Sequence, residues 1–146
     1  MDTEGLLRSL NAHNVRYVII GATAFPVHGY ARATLDIDVF IEPTQENAGR
    51  VRQALAAFGY DLSDVSEEDL LTKKVLIRQY MLETDIHPFA KGVTFDEVWR
   101  NRVQDRLGQT PAAFASLADL IRMKEAADRP KDREDLRALR ALRKRR

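Results

Sequence analysis

Residues 19–42 read IIGATAFPVHGYARATLDIDVFIE, and their reading decides the rest of the chain. The β-branched run VRYVII (15–20) ends at Gly21 and predicts a buried strand. Residues 22–29 predict a short helix bounded by Gly29, and TLDIDVFIE (34–42) predicts a second strand stopped by Pro43. Strand side chains alternate faces, which puts Asp36 and Asp38 on one side and Leu35, Ile37, Val39 and Ile41 on the other. The α-carbons of the two aspartates lie about 6.5–7 Å apart, close enough for the carboxylates to lean toward one point. Unpaired, they repel each other. Two arrangements relieve that: arginines beside an edge strand, or a divalent cation, for which hard oxygen ligands suit Mg²⁺ or Mn²⁺.

Outward from this stretch the elements alternate. Leu6, Leu7 and Leu10 have helical spacing over residues 3–12. TQENAGRVRQALAAFGY (44–60) opens on a Thr cap and runs as a helix to Gly59. SEEDLL predicts a helical turn capped by Ser66, KKVLIRQYMLETDIHPF one or two strands, and TFDEVWRNR a short helix with a Thr cap. VQDRLGQTPAAFA predicts two short strands around Gly108. Ser116 and Asp119 resemble a capping box before LADLIRMKEAAD. After Pro130, a last helix turns Leu136, Leu139 and Leu142 inward. The order favours an α/β or α+β fold, a mixed sheet flanked by helices with a helical C-terminal segment. We expect one domain over 1–146, its core spanning about 15–115 and its C-terminal helices 116–146.

Composition narrows the class. The 146 residues are 45% hydrophobic and 31% charged with a formal charge of +1, as in ordinary globular proteins. Without cysteine there is neither a disulfide nor a thiolate metal site. MDTEGLLRSL lacks the features of a secretory leader, and no apolar run approaches membrane-spanning length. The expected setting is the cytoplasm.

Gly21 and Ala22 end a strand where backbone N–H groups can meet a phosphate, and small side chains admit it. A further acid, Asp85, sits late in a later strand, with Glu83 two residues earlier on the same face. Gly21-Ala22, thirteen intervening residues, Asp36-Ile37-Asp38 and a distant Asp85 together resemble the nucleotidyltransferase superfamily, the polymerase β-like fold. The wording GATAFPVHGYARATLDIDVFI with SLADLIRMKEAADRPKDREDL is similar to its small bacterial branch of stand-alone enzymes and AbiEii-type toxins. The resemblance covers about residues 15–140.

That resemblance implies Mg²⁺ or Mn²⁺ on Asp36, Asp38 and Asp85, a nucleoside triphosphate as substrate, and transfer of its NMP group to an RNA, protein or small-molecule hydroxyl. It also implies phosphate contacts at Gly21, Ala22, Thr23, Arg32 and Lys124. The family usually has glycine or serine where this chain has Ala22, so a hydroxyl is missing; Thr23 is the candidate to replace it. The competing reading is a binding module of the same fold without turnover, with a partner protein as in a toxin–antitoxin pair.

Other residues carry weaker signals. Lys124 follows Leu117, Leu120 and Ile121 at helical spacing, so its ammonium either meets triphosphate or reaches outward to water or Glu125. Arg129, Lys131, Asp132 and Asp135 read as a structural ion-pair group or as substrate contacts, and Arg32 and Thr34 as phosphate contacts, with Arg32 alternatively balancing nearby carboxylates. His28 and His87 read as packing or hydrogen-bonding residues rather than metal ligands. Residues 133–146 hold seven basic and two acidic side chains, with Arg133, Arg137, Arg140 and Lys144 at helical spacing. That stripe is either a solvated face or a nucleic-acid contact. A phosphatase reading of DIDVF leaves the bend at Gly21 unexplained, and a dinucleotide-binding reading of IIGATAF lacks the full glycine pattern.

Overall fold

The computed structural model describes residues 1–145. Its strands are β1 Tyr17–Ile20, β2 Asp36–Ile41, β3 Val75–Gln79, β4 Leu82–His87, β5 Val103–Leu107 and β6 Thr110–Phe114. Its helices are α1 Thr3–Ala12, α2 Gln45–Phe58, α3 Glu67–Thr72, α4 Phe95–Arg100, α5 Leu117–Ala127 and α6 Arg133–Lys144, with short 3-10 turns at Gly21–Ala24, Pro26–His28 and Pro130–Asp132. The strands form one mixed sheet in the order β3-β4-β2-β1-β6-β5. The expected α/β fold with a helical C-terminal segment is present.

Capping chemistry sets the helix ends. Asp2 accepts from the Gly5 N–H to open α1, Thr44 accepts from Asn47 to open α2, and Gly59, at φ +116°, closes α2. Ser66 with Asp69, and Thr94 with Glu97, form complete capping boxes before α3 and α4. The box expected before α5 forms only half. Ser116 accepts from the Asp119 N–H, but the Asp119 carboxylate accepts from Asn101 at 3.2 Å and Arg122 at 3.3 Å.

The central strands position the site. β1 runs antiparallel to β2, and β2 runs parallel to β4, with Asp36 opposite Glu83, Asp38 opposite Asp85, and Phe40 opposite His87. Ile37 and its neighbour Thr84 share the face covered by α1 and α2; the Thr84 hydroxyl bonds Tyr60, just after α2, at 2.8 Å. On the other face Phe40 meets Phe95 of α4 edge-on, with ring centroids 5.3 Å apart. Asp36 and Asp38 occupy that second face where the sheet passes from packed to open.

Two local expectations change, and one open alternative is decided. Leu35 is exposed, not part of the buried row, because the strand starts at Asp36, two residues later than expected. Val15 lies in the turn leaving α1, its N–H donating to the Leu10 carbonyl, so β1 begins at Tyr17. The segment after α3 makes two strands joined by Tyr80-Met81, both at positive φ (+57° and +60°). No helix among the described residues is long and apolar enough to cross a membrane.

Candidate functional site

Asp38 reaches the site because it sits on the last rung of the β1–β2 pairing, opposite Ile20. The chain then bends at Gly21, φ +71°, directly beside it. A Cβ at this position would stand 2.5 Å from Asp38 Oδ2, so close approach and left-handed backbone together demand glycine. Asp85 comes from the parallel neighbour β4 at the same level. Parallel strands lie about 4.8 Å apart, so two carboxylates in register on one face face each other at close range.

Each acid has a different environment. Asp85 is 6% exposed and accepts from Arg78 Nη1 at 2.8 Å, with Lys74 Nζ at 3.9 Å. Asp38 faces His87 Nε2 at 2.7 Å. The Asp36 carboxylate has no hydrogen-bond or ion-pair partner among the described residues; only its backbone is engaged, its carbonyl accepting from Thr23 Oγ1 at 2.8 Å.

Asp38, Asp85 and His87 each offer a ligand atom, and these atoms lie within 4.8 Å of one another. A Mg²⁺-sized ion bonds oxygen at about 2.1 Å, so its ligands sit at most about 4.2 Å apart. The trio therefore suits a divalent ion after closing by a few tenths of an ångström, with Asp85 yielding its arginine. Asp36 stands outside this trio. His87, read from the sequence as a packing or hydrogen-bonding residue rather than a metal ligand, hydrogen-bonds Asp38 and stands inside it. The signal for it was the period-two spacing Asp85-Ile86-His87 on one strand, which sends both side chains to the same face.

All of Asp36, Asp38, Asp85 and His87 line one cavity of about 400 Å³, together with Gly21, Ala22, Arg32 and Lys124. Thr23 faces a neighbouring cavity of about 620 Å³ instead, and Ala22, Arg32 and Asp36 border both.

The far side of the cavity is a second charge cluster. Lys124 donates to Asp132 at 2.9 Å and lies 3.5 Å from Asp135. Its ammonium thus faces these carboxylates rather than Glu125, which pairs with Arg140. Arg129 donates to Asp132 at 2.6 Å, Arg32 Nε is 3.4 Å from Asp135, and the Tyr30 hydroxyl donates to Asp135 at 2.9 Å. Burial alone pushes the Asp132 carboxyl up, but hydrogen bonds from Arg129 and Lys124 outweigh it and hold the group below its ordinary value. Burial, then the bond to Asp135, raises the Tyr30 phenol. Lys131 also lines the cavity and has no ion-pair partner among the described residues. His28 is buried, its Nε2 2.8 Å from the Ala115 carbonyl, and supports the bend from behind.

Chemically, this cavity joins an oxygen- and imidazole-rich wall suited to a cation with a group of cations suited to phosphate. No curated protein matched the chain. A family model described as "Nucleotidyltransferase of unknown function (DUF6036)" matches residues 4–144, which include both walls of the cavity and every strand of the sheet. The chain belongs to this nucleotidyltransferase family.

Proposed function

We propose that the protein transfers an NMP group from a nucleoside triphosphate to an acceptor hydroxyl with the help of Mg²⁺ or Mn²⁺. The observation that carries this reading is the meeting of Asp38 and Asp85 in register, in a cavity also lined by Arg32, Lys124, Arg129 and Lys131. A metal–triphosphate complex presents both signs of charge, and so does this lining. Asp38, Asp85 and His87 would hold the ion. When bound, it supplies charge neutralisation on phosphate oxygens and Lewis-acid polarisation at the α-phosphate.

The chain's own residues do the rest. The bend at Gly21 and Ala22 admits a phosphate where a larger side chain would collide with Asp38. Asp132 and Asp135 hold Lys124 and Arg32 in place before the triphosphate arrives, so little reorganisation is needed. Lys131, with no carboxylate partner among the described residues, is the cation most available to the departing pyrophosphate. The acceptor oxygen bonds to the α-phosphorus as the bond to the β-phosphate oxygen breaks. The acceptor's proton passes to Asp36, whose carboxylate has no partner among the described residues and borders the adjoining 620 Å³ cavity. Positioning of this kind is the main source of rate in phosphoryl chemistry.

The test is transfer of label from each nucleoside triphosphate, with Mg²⁺ or Mn²⁺, to RNA and to components of a cell extract. Label transfer that disappears in Asp38→Asn supports the reading. Absence of transfer to every acceptor, with metal affinity unchanged in Asp38→Asn, overturns it.

A second reading, nucleotide binding without turnover beside a partner protein as in a toxin–antitoxin pair, is favoured by two observations. Ala22 brings no hydroxyl, and the Thr23 hydroxyl is already donated to the Asp36 carbonyl. Calorimetry with ATP or GTP decides between them: tight binding with no transfer supports the module, and turnover eliminates it.

A further inference from the structure

Helix α6 begins at the cavity and runs away from it. Asp132 and Asp135 line the cavity, Leu139 is fully buried, and Leu136 and Leu142 pack partly against the core. The opposite face carries Arg133, Arg137, Arg140 and Lys144, all exposed. With Leu136 and Ala141 they line a shallow groove of about 480 Å³. The four cations succeed one another at one-turn spacing and extend over about 16 Å of helix at about 1.5 Å per residue.

Their partners set them apart from most cations elsewhere. Arg16, Arg50, Lys73, Arg78, Arg122 and Arg129 each have a carboxylate within ion-pair distance. On α6, Arg140 reaches Glu125 at 3.3 Å, while Arg133, Arg137 and Lys144 have no carboxylate partner among the described residues. A row of unneutralised cations on one face is self-repelling unless an extended polyanion lies along it.

We propose that this face of α6 binds the phosphate backbone of a nucleic-acid acceptor and leads its end into the cavity. The inference rests on the transfer reading, because that reaction needs a terminal hydroxyl at the acids. Regular spacing of single charges, with no aromatic side chain and only Leu136 as a large apolar one in the groove, fits repeated phosphates better than a folded protein surface. Continuity is the second argument: the same helix contributes Asp135 to the cavity wall and Arg133 and Arg137 to the stripe.

The experiment is fluorescence anisotropy of a labelled single-stranded RNA with the full chain, as a function of salt, with polyglutamate as the competing polyanion. Arg133→Ala/Arg137→Ala/Lys144→Ala should weaken binding more than about tenfold at low salt. It should also reduce the slope of log affinity against log salt by about 2, at roughly 0.7 per lost phosphate contact. Arg133→Lys/Arg137→Lys, which keeps the charges, should retain the slope and shows that the surface tolerates change. ATP affinity by calorimetry should be the same in all three proteins. Unchanged RNA binding by the alanine variant, no RNA binding by the wild type, or binding of polyglutamate in place of RNA overturns the proposal. The two readings fail separately: loss of ATP binding in the wild type counts against transfer, while the RNA arm decides the role of α6.

Discussion

Two carboxylate clusters face one cavity, and they are built on opposite plans. On the helical side Asp132 and Asp135, 2% and 3% exposed, are interleaved with Lys124, Arg129, Arg32 and the Tyr30 hydroxyl. On the sheet side Asp85 keeps Arg78 and Lys74, Asp38 has only His87, and Asp36 has no partner to its carboxylate among the described residues. Charges that are fully partnered hold a fold together. Charges that remain under-neutralised at a bend built for close approach are kept for a ligand. The cavity thus separates residues that position from residues that bind.

The sharpest way to break this comparison is to remove one acid from each side. Asp132→Ala leaves Lys124, 16% exposed at its side chain, and Arg129 without their shared carboxylate. Because Asp135 still faces Lys124, stability should fall by about 1–3 kcal/mol in thermal or urea unfolding. Asp38→Asn, in contrast, should leave the melting temperature level or raise it, since it relieves like-charge repulsion. Its affinity for Mn²⁺, followed by electron paramagnetic resonance, should drop by more than about 100-fold. A large loss of stability in Asp38→Asn, or none in Asp132→Ala, would invert the roles assigned to the two sides.

Gly21→Ala tests the bend between them. The left-handed backbone and the contact with Asp38 Oδ2 should together cost about 1–2 kcal/mol and weaken Mn²⁺ binding as the carboxylate is displaced. His87→Ala is expected to lower Mn²⁺ affinity by about tenfold, less than the loss of Asp38, with little change in unfolding.

The smallest effect concerns acid. Asp132 titrates lower in the folded chain than its ordinary value of 3.8. Between these two values the unfolded chain binds the extra proton, so stability rises with pH there. The contribution is complete above about pH 4–5 and is lost as pH falls through the depressed value. Asp132→Asn should therefore show a shallower loss of stability below about pH 4 than the wild type in urea titrations.

Local signals made much of this legible in the sequence. Helices announced themselves through Ser66, Thr44, Thr94 and Gly59, whose side chains or conformational freedom act within a few residues. The paired acids and the bend at Gly21 were legible for the same reason. What depends on tertiary pairing was not. The β3–β4 turn uses Tyr80 and Met81 at positive φ, where glycine or asparagine would have signalled a hairpin, so one strand and two were indistinguishable. Nothing local shows that β4 lies beside β2, so His87 was not recognised beside Asp38, nor Arg78 and Lys74 as partners of Asp85. The Lys124 side chain was placed on the inner face by its spacing, but its partners sit on a different helix and turn.

The in-register pairing of β2 with β4 has a last consequence. The gap between the two facing aspartates is gauged by the peptide ladder itself, not by flexible loops, and so it is as rigid as the sheet. A single residue inserted into β4 ahead of position 85 would leave the helices unaltered yet rotate that acid to the opposite side of the pleat, among the core side chains. Drift in the length of the hairpin tip is harmless; drift of one step within the strand disarms the centre.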